Sequence, residues 1–187
     1  EREVSASGVV KALAQFQRTM VSGNSRYDKY RRNDGQTLSQ QELKGLGLVQ
    51  QKCQTCHASD LFTDNRYHNN GLDDDFSNSE HDDIYKGRFR VTYNLADLGA
   101  FKTPTLRNIM LTAPYMHDGR FTDIQQVLNH YSDGVKNSPG ISPLMLQKEG
   151  QEPGIMLSAA DKASIIAFLH TLTDDDFISN KNLRDPK

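Results

Sequence analysis

The chain has 187 residues, with 22 basic and 24 acidic side chains and a formal net charge of −2. That length supports a real hydrophobic core, and a near-neutral balance with scattered Lys and Arg argues against a nucleic-acid-binding surface. No apolar run reaches the roughly 20 residues a membrane span needs, and 36% hydrophobic residues suit a polar-surfaced protein rich in loop.

The opening "EREVSASGVV" is charged and passes directly into helical periodicity, unlike a secretory leader. It reads as the inside of a longer protein, so it says little about compartment. A first helix follows, with Val9, Leu13, Phe16 and Met20 at helical spacing and "VSGNS" closing it. The second begins at "LSQQELKGLGLVQQ", where Ser39 and Glu42 form a capping box and Leu43, Leu46 and Val49 form a stripe. It runs straight into Cys53. Residues 58–100 are mostly polar and read as loop, with short strands around "GRFRVTY". A loop of that length in a compact domain wraps something or carries function. The third helix follows "HDGRF", with Thr122 and Gln125 as capping box and Ile124, Val127, Leu128 and Tyr131 on one face. After a Pro/Gly-broken loop, the fourth runs over about 158–172, starting at Ser158 with Asp161, and carries Ile165, Phe168, Leu169 and Leu172. The reading is all-α: a helical domain with long loops and room for one short β-hairpin.

The only two cysteines lie in Cys53-Gln54-Thr55-Cys56-His57. A structural zinc site needs four N or S ligands. Here no second Cys pair exists, and His68, His81, His117, His130 and His170 lack the H-x₃₋₅-H spacing. A thioredoxin-like disulfide wants a βαβ context, whereas the segment before Cys53 is helical. Covalent haem uses both thiols and the following His as an axial iron ligand, and His57 supplies that element. A surface Cys pair with an incidental His is the bland alternative.

The sixth iron position has five Met, the other His and seven Tyr as competitors. At about 100° per residue, Tyr131 falls near the centre of the third helix's stripe, and His130 points toward solvent or the stripe's edge. An ordinary core tyrosine is the simpler reading of Tyr131. Met116 and Met145 are the alternatives.

The stretch "GAFKTPTLRNIMLTAPYMHDGRFTDIQQVLNHYSDG" (99–134) resembles the C-terminal haem domain of bacterial di-haem cytochrome c peroxidases, and the MauG-like branch most of all. "ALAQFQRTMVSGNSRYDKY" and "LSAADKASIIAFLHTLTDDDF" extend the resemblance over nearly the whole chain. It implies a cytochrome c-like fold, with residues 1–187 as one c-type haem domain of a longer two-haem protein whose N-terminal haem domain is absent. Seventeen residues after Pro114 the peroxidases place a Met ligand; this chain has Tyr131 there, and the MauG-like branch has a tyrosine that ligates iron. By the same resemblance, Thr112 and Pro114 match positions whose backbone carbonyls bind calcium. Arg107 is a candidate haem propionate partner, weighed equally against an arginine that braces backbone. His117 reads as structural and the 73–75 aspartates as a solvated loop.

The function implied is electron relay to a peroxide-reducing haem on the missing domain, so the full protein is expected to be a peroxidase and the isolated domain non-catalytic. Two other roles stay open: MauG-like oxidation of a partner protein, and simple electron carriage. The expected partners are that N-terminal domain and an external electron donor (a small cytochrome or a cupredoxin) or a protein substrate, with a homodimer open. Covalent haem attachment implies the periplasm.

Overall fold

The computed structural model describes residues 4–77, 84–147 and 152–184; His81 lies outside them. The chain divides into two compact units, Glu1–Thr37 with Asp174–Lys187, and Leu38–Thr173.

The first unit holds α1 (Ala6–Thr19), α2 (Arg26–Arg31) and α7 (Asp175–Ile178). Ser5 caps α1 through the Gly8 N–H. The expected stripe is present at the right spacing, but Val9, Leu13, Phe16 and Met20 are all exposed. Helix α2, unforeseen in the sequence, starts on a full capping box of Ser25 and Asp28. Buried Asp174 ties the unit together: its carboxylate accepts from Ser22 Oγ at 3.1 Å, Asn24 N–H at 2.9 Å and Phe177 N–H at 3.0 Å. Those bonds hold the carboxyl below the usual range against the burial that would raise it.

The second unit is organised by α3 (Gln40–Lys52) and α6 (Ala159–His170). Ser39/Glu42 and Ser158/Asp161 form the capping boxes expected of them. The helices meet at Gly45, where a Cβ would lie 2.0 Å from the Ser164 carbonyl oxygen. Only hydrogen fits there. Ile165, Phe168, Leu169 and Leu172 are buried as expected, and Phe168 and Leu172 are fully so. Val49 is the buried member of the α3 stripe, while Leu43 lies at its exposed edge.

Two expectations are corrected between these helices. "GRFRVTY" forms no strand: residues Phe89–Thr92 are a short helix, α4, and Tyr93 ends it in the left-handed region. The β-branched and aromatic residues there have no strand beside them, and β preference acts only through such neighbours. The strands are β1 (Tyr67–His68) and β2 (Phe101–Lys102), antiparallel with His68 opposite Phe101. The N-cap of α5 (Ile124–Asn129) is Asp123, one residue later than expected; its carboxylate accepts from Gln126 N–H, and the Gln126 side chain accepts from Thr122 N–H. A π-helical turn, His130–Gly134, continues α5. Among the described residues no helix is long and apolar enough to cross a membrane.

Candidate functional site

Helix α3 ends on Cys53, and one more turn of chain brings the motif together. The Cys56 N–H reaches the Cys53 carbonyl at 3.2 Å and the His57 N–H reaches it at 2.8 Å. Cys53, Cys56 and His57 thereby line one cavity of about 560 Å³ within the second unit. The loop then folds back beneath His57. Phe62 takes a positive φ of 51°, the Thr63 N–H bonds the Ala58 carbonyl and the Asp64 N–H bonds the Cys56 carbonyl, both at 2.8 Å. That turn sets the Phe62 carbonyl 3.0 Å from His57 Nδ1, and the Pro104 carbonyl bonds the ring as well. A ring that gives Nδ1–H to a carbonyl keeps its lone pair on Nε2, as a metal ligand requires. Burial lowers the His57 pKa, partly offset by the two carbonyls, so the ring is neutral.

Both thiols are free. Burial, then Cys56, pushes Cys53 up to about 12, and burial and Asp64 raise Cys56. A redox CxxC needs a lowered thiol pKa, so these thiols do not suit disulfide exchange. Among the described residues no group of three or more His, Cys, Asp or Glu could hold a metal ion by itself.

The facing wall comes from α5. Ile124, Val127, Leu128 and Tyr131 all line the cavity, the face their spacing gave. His130 departs from expectation: it is buried, its ring centroid 5.8 Å from that of Phe121 and 5.4 Å from that of Tyr131. The π turn widens the helix at this point, so two successive residues are turned inward. Burial raises the Tyr131 phenol pKa, a hydrogen bond from Asn70 lowers it, and Cys53 and Cys56 raise it. The phenol and the thiols thus feel one another within a shared cavity. Met116 and Met145 also line it.

The remaining candidates separate. Arg107 is not among the cavity-lining side chains; its Nε donates to the Asp60 carbonyl at 2.8 Å and its guanidinium lies over the Phe62 ring. It braces the loop that holds His57. Pro114 lines the cavity, and Thr112 is exposed beside it. His117 stacks flat on Phe101 at 3.8 Å, with Nε2 3.7 Å from Asp73. The 73–75 aspartates are more than a solvated loop, because Asp73 pairs with Arg120 at 2.8 Å and Asp74 with Lys136 at 2.9 Å. Two features had no signal of period or motif in the sequence: His68, paired with Asp64 at 2.7 Å, and Asn70. Both line the cavity or its immediate support.

Comparison with known proteins now bears on this geometry. Residues 2–36 match the family model described as di-haem cytochrome c peroxidase. The methylamine utilization protein MauG of Methylorubrum extorquens is 34% identical over 174 residues, covering 92% of this chain and 46% of that protein. The cytochrome c551 peroxidase of Nitrosomonas europaea is 33% identical, again over 92% of this chain and 46% of the relative. A crystal structure of a MauG-like protein associated with microbial copper homeostasis superposes with a TM-score of 0.80 at 34% identity, over 98% of this chain and 62% of that one.

The chain belongs to the di-haem cytochrome c peroxidase (MauG) family.

It spans about half the length of the relatives it matches, 46% of each of the two named. Membership implies a haem cofactor, and the cavity fits one. It has the volume of a cofactor site, within roughly 300–1,000 Å³. Its floor is apolar, from Val49, Leu128, Ile165 and Leu169, and it presents two free thiols and a neutral His.

Proposed function

We propose that this chain is a c-type haem domain that carries electrons within a longer two-haem protein of the peroxidase family. One observation carries the reading: both cysteines, His57 and Tyr131 line a single apolar cavity of about 560 Å³. Cys53 and Cys56 would hold the haem covalently, His57 would bind the iron on one side and Tyr131 on the other. Haem supplies a one-electron couple at this site. The protein's part is to hold and tune it. His57 is held in the ligating tautomer by the Phe62 carbonyl at its Nδ1. As an iron ligand, Tyr131 would keep peroxide off this haem and would restrict the site to electron transfer. The apolar floor excludes water and keeps the reorganisation on electron transfer small.

In the whole protein the electrons would come from an external donor, a small cytochrome or cupredoxin, and pass to a peroxide-reducing haem on an N-terminal domain. Calcium at the Thr112 and Pro114 carbonyls belongs to the same proposal, with its other ligands oxygen atoms, as does a periplasmic location, where haem is ligated to CxxCH. A homodimer is compatible with this arrangement. Arg107 supports the His57 loop through the Asp60 carbonyl and the Phe62 ring, and a propionate contact remains part of the same proposal.

A second reading, oxidation of a partner protein, is favoured by the same tyrosine. A hard, anionic phenolate stabilises the oxidised iron more than a thioether does, and Met116 and Met145 stand by unused in this role. Turnover of hydrogen peroxide by the full-length protein with a reduced small cytochrome supports the peroxidase reading. Peroxide-dependent mass change of a co-expressed protein, with no cytochrome turnover, supports the other. An absence of any Soret band in protein matured with a haem-ligation system defeats both.

A further inference from the structure

Helix α1 leaves its apolar face open. Val9, Leu13, Phe16 and Met20, the last at the C-cap, fall within about 60° of one another around the helix axis. They are 47%, 56%, 41% and 42% exposed, and no side chain of α1 is buried. Lys11 and Arg18 stand on the opposite side. A helix of this length is marginal in water alone, and helices of folded proteins draw most of their stability from packing such a stripe. The unit around α1 is equally short of a core. Among the described residues of 1–37 and 174–187, Tyr27 is the one buried apolar side chain. What holds this unit is polar: Asp174 with Ser22 and Asn24, Arg32 Nη1 donating to the Gly23 carbonyl at 2.9 Å, and Lys29 3.6 Å from Asp176. A unit this small that buries so little apolar surface does not offset the entropy of ordering its own chain. The residues lining the cavity all belong to the Leu38–Thr173 unit.

We propose that the apolar face of α1 is the docking surface for the second haem domain of the longer protein. Val9, Leu13, Phe16 and Met20 insert into that domain's apolar core, and the first unit forms the edge of that core. This rests on the two-haem reading above. The occupant follows from where the family likeness falls. The family-model match, residues 2–36, lies within this same unit and stops short of Cys53. The MauG-like crystal neighbour carries 98% of this chain, which covers 62% of its own, so more than a third of that chain has no counterpart here. The face therefore awaits the rest of the family module to which its own unit is matched. A second copy of this chain would bring none of that module.

The test uses the full-length protein, matured with haem, in four forms: the parent, Leu13→Glu, Phe16→Glu, and Lys11→Glu as a control on the opposite side of the helix. Hydroxyl-radical footprinting reads Leu13, Phe16 and Met20, with the urea-unfolded protein as the exposed reference. Labelling of all three is expected to be lost in the folded parent at every protein concentration. Leu13→Glu and Phe16→Glu should lower the melting temperature, because each places an unpaired charge in an apolar seat, while Lys11→Glu should not. Labelling that persists in the folded parent, with melting temperatures unmoved by the two stripe variants, overturns the inference. Protection that fades on dilution, with a dimer seen in sedimentation, gives the face to a second copy and overturns it as well. A pyridine haemochrome count separates this inference from the reading beneath it. Two haems with α1 labelled sink the docking surface alone, whereas one haem with α1 protected sinks the two-haem reading and the occupant named here.

Discussion

At the scale of single residues, the site is a set of side chains whose environments suit one task each. His57 is buried and neutral with its Nδ1 committed to a carbonyl, and the thiols are protonated and unpaired. Replacing Tyr131 with Phe should convert a six-coordinate low-spin ferric spectrum to a high-spin one, read by absorption and electron paramagnetic resonance. An unchanged low-spin spectrum sinks the assignment. Cys53→Ser and Cys56→Ser should each leave haem held by one thioether, and the double replacement should release it on acid–acetone extraction. The grouping of Cys53, Cys56 and His57 on one cavity was legible in the sequence because their spacing is local. The bond from Arg107 to the Asp60 carbonyl was not, since it depends on the path of the 58–64 loop. His130 was misjudged for a related reason: a π turn inside an otherwise helical stripe leaves no trace in the spacing of apolar residues.

At the scale of elements, capping chemistry was the most dependable sequence signal. Ser39/Glu42 and Ser158/Asp161 start their helices where the pattern put them, because a side chain bonding its own first turn needs nothing from the rest of the fold. The start of α5 slipped by one residue, as Asp123 competed with Thr122 for the same role. What joins α3 to α6 was invisible. Gly45 looks in the sequence like a weak point in a helix, yet it is the place where the two backbones come closest. Gly45→Ala therefore has two opposed effects. Alanine gains about 1 kcal/mol in helix propensity, while overpacking costs roughly 1–3 kcal/mol. The Cβ would strike the backbone carbonyl of Ser164 at 2.0 Å rather than a side chain able to rotate, so the loss wins. Urea denaturation should show a net destabilisation of up to about 2 kcal/mol, and equal or greater stability would refute the close-approach reading.

At the scale of the molecule, the long polar segment after the motif is what completes the cavity, through β1, Asn70 and the Phe101–Pro114 stretch. Its anchorage gives the Leu38–Thr173 unit a defined response to acid. Burial would raise the Asp64 carboxyl, but His68, the Arg66 N–H and Thr103 bring it down to about 2. A depressed carboxyl contributes stability above its unfolded pKa, near 3.9, and that contribution disappears as pH falls through 2. Burial also lowers His117, which stays neutral in the fold while an unfolded imidazole takes a proton below about 6.5. Both groups act in one direction. The melting temperature should fall as pH drops from 6.5 and fall further between pH 4 and pH 2, and the His68→Ala variant should lack much of the second decline. A flat profile over that range would show that the Asp64–His68 pair does not hold the loop.

What the sequence determined by itself was whatever interacts over a few residues: the close grouping of Cys53, Cys56 and His57, two of the helix starts, and the apolar face of α5 with Tyr131 on it. The tertiary structure alone decided which side chains face that tyrosine, where Arg107 reaches, and why a glycine stands at the meeting of two helices. Those outcomes depend on residues tens of positions apart in the chain, such as Asn70 and Tyr131, and no local period or motif encodes a contact made by the closing of a loop.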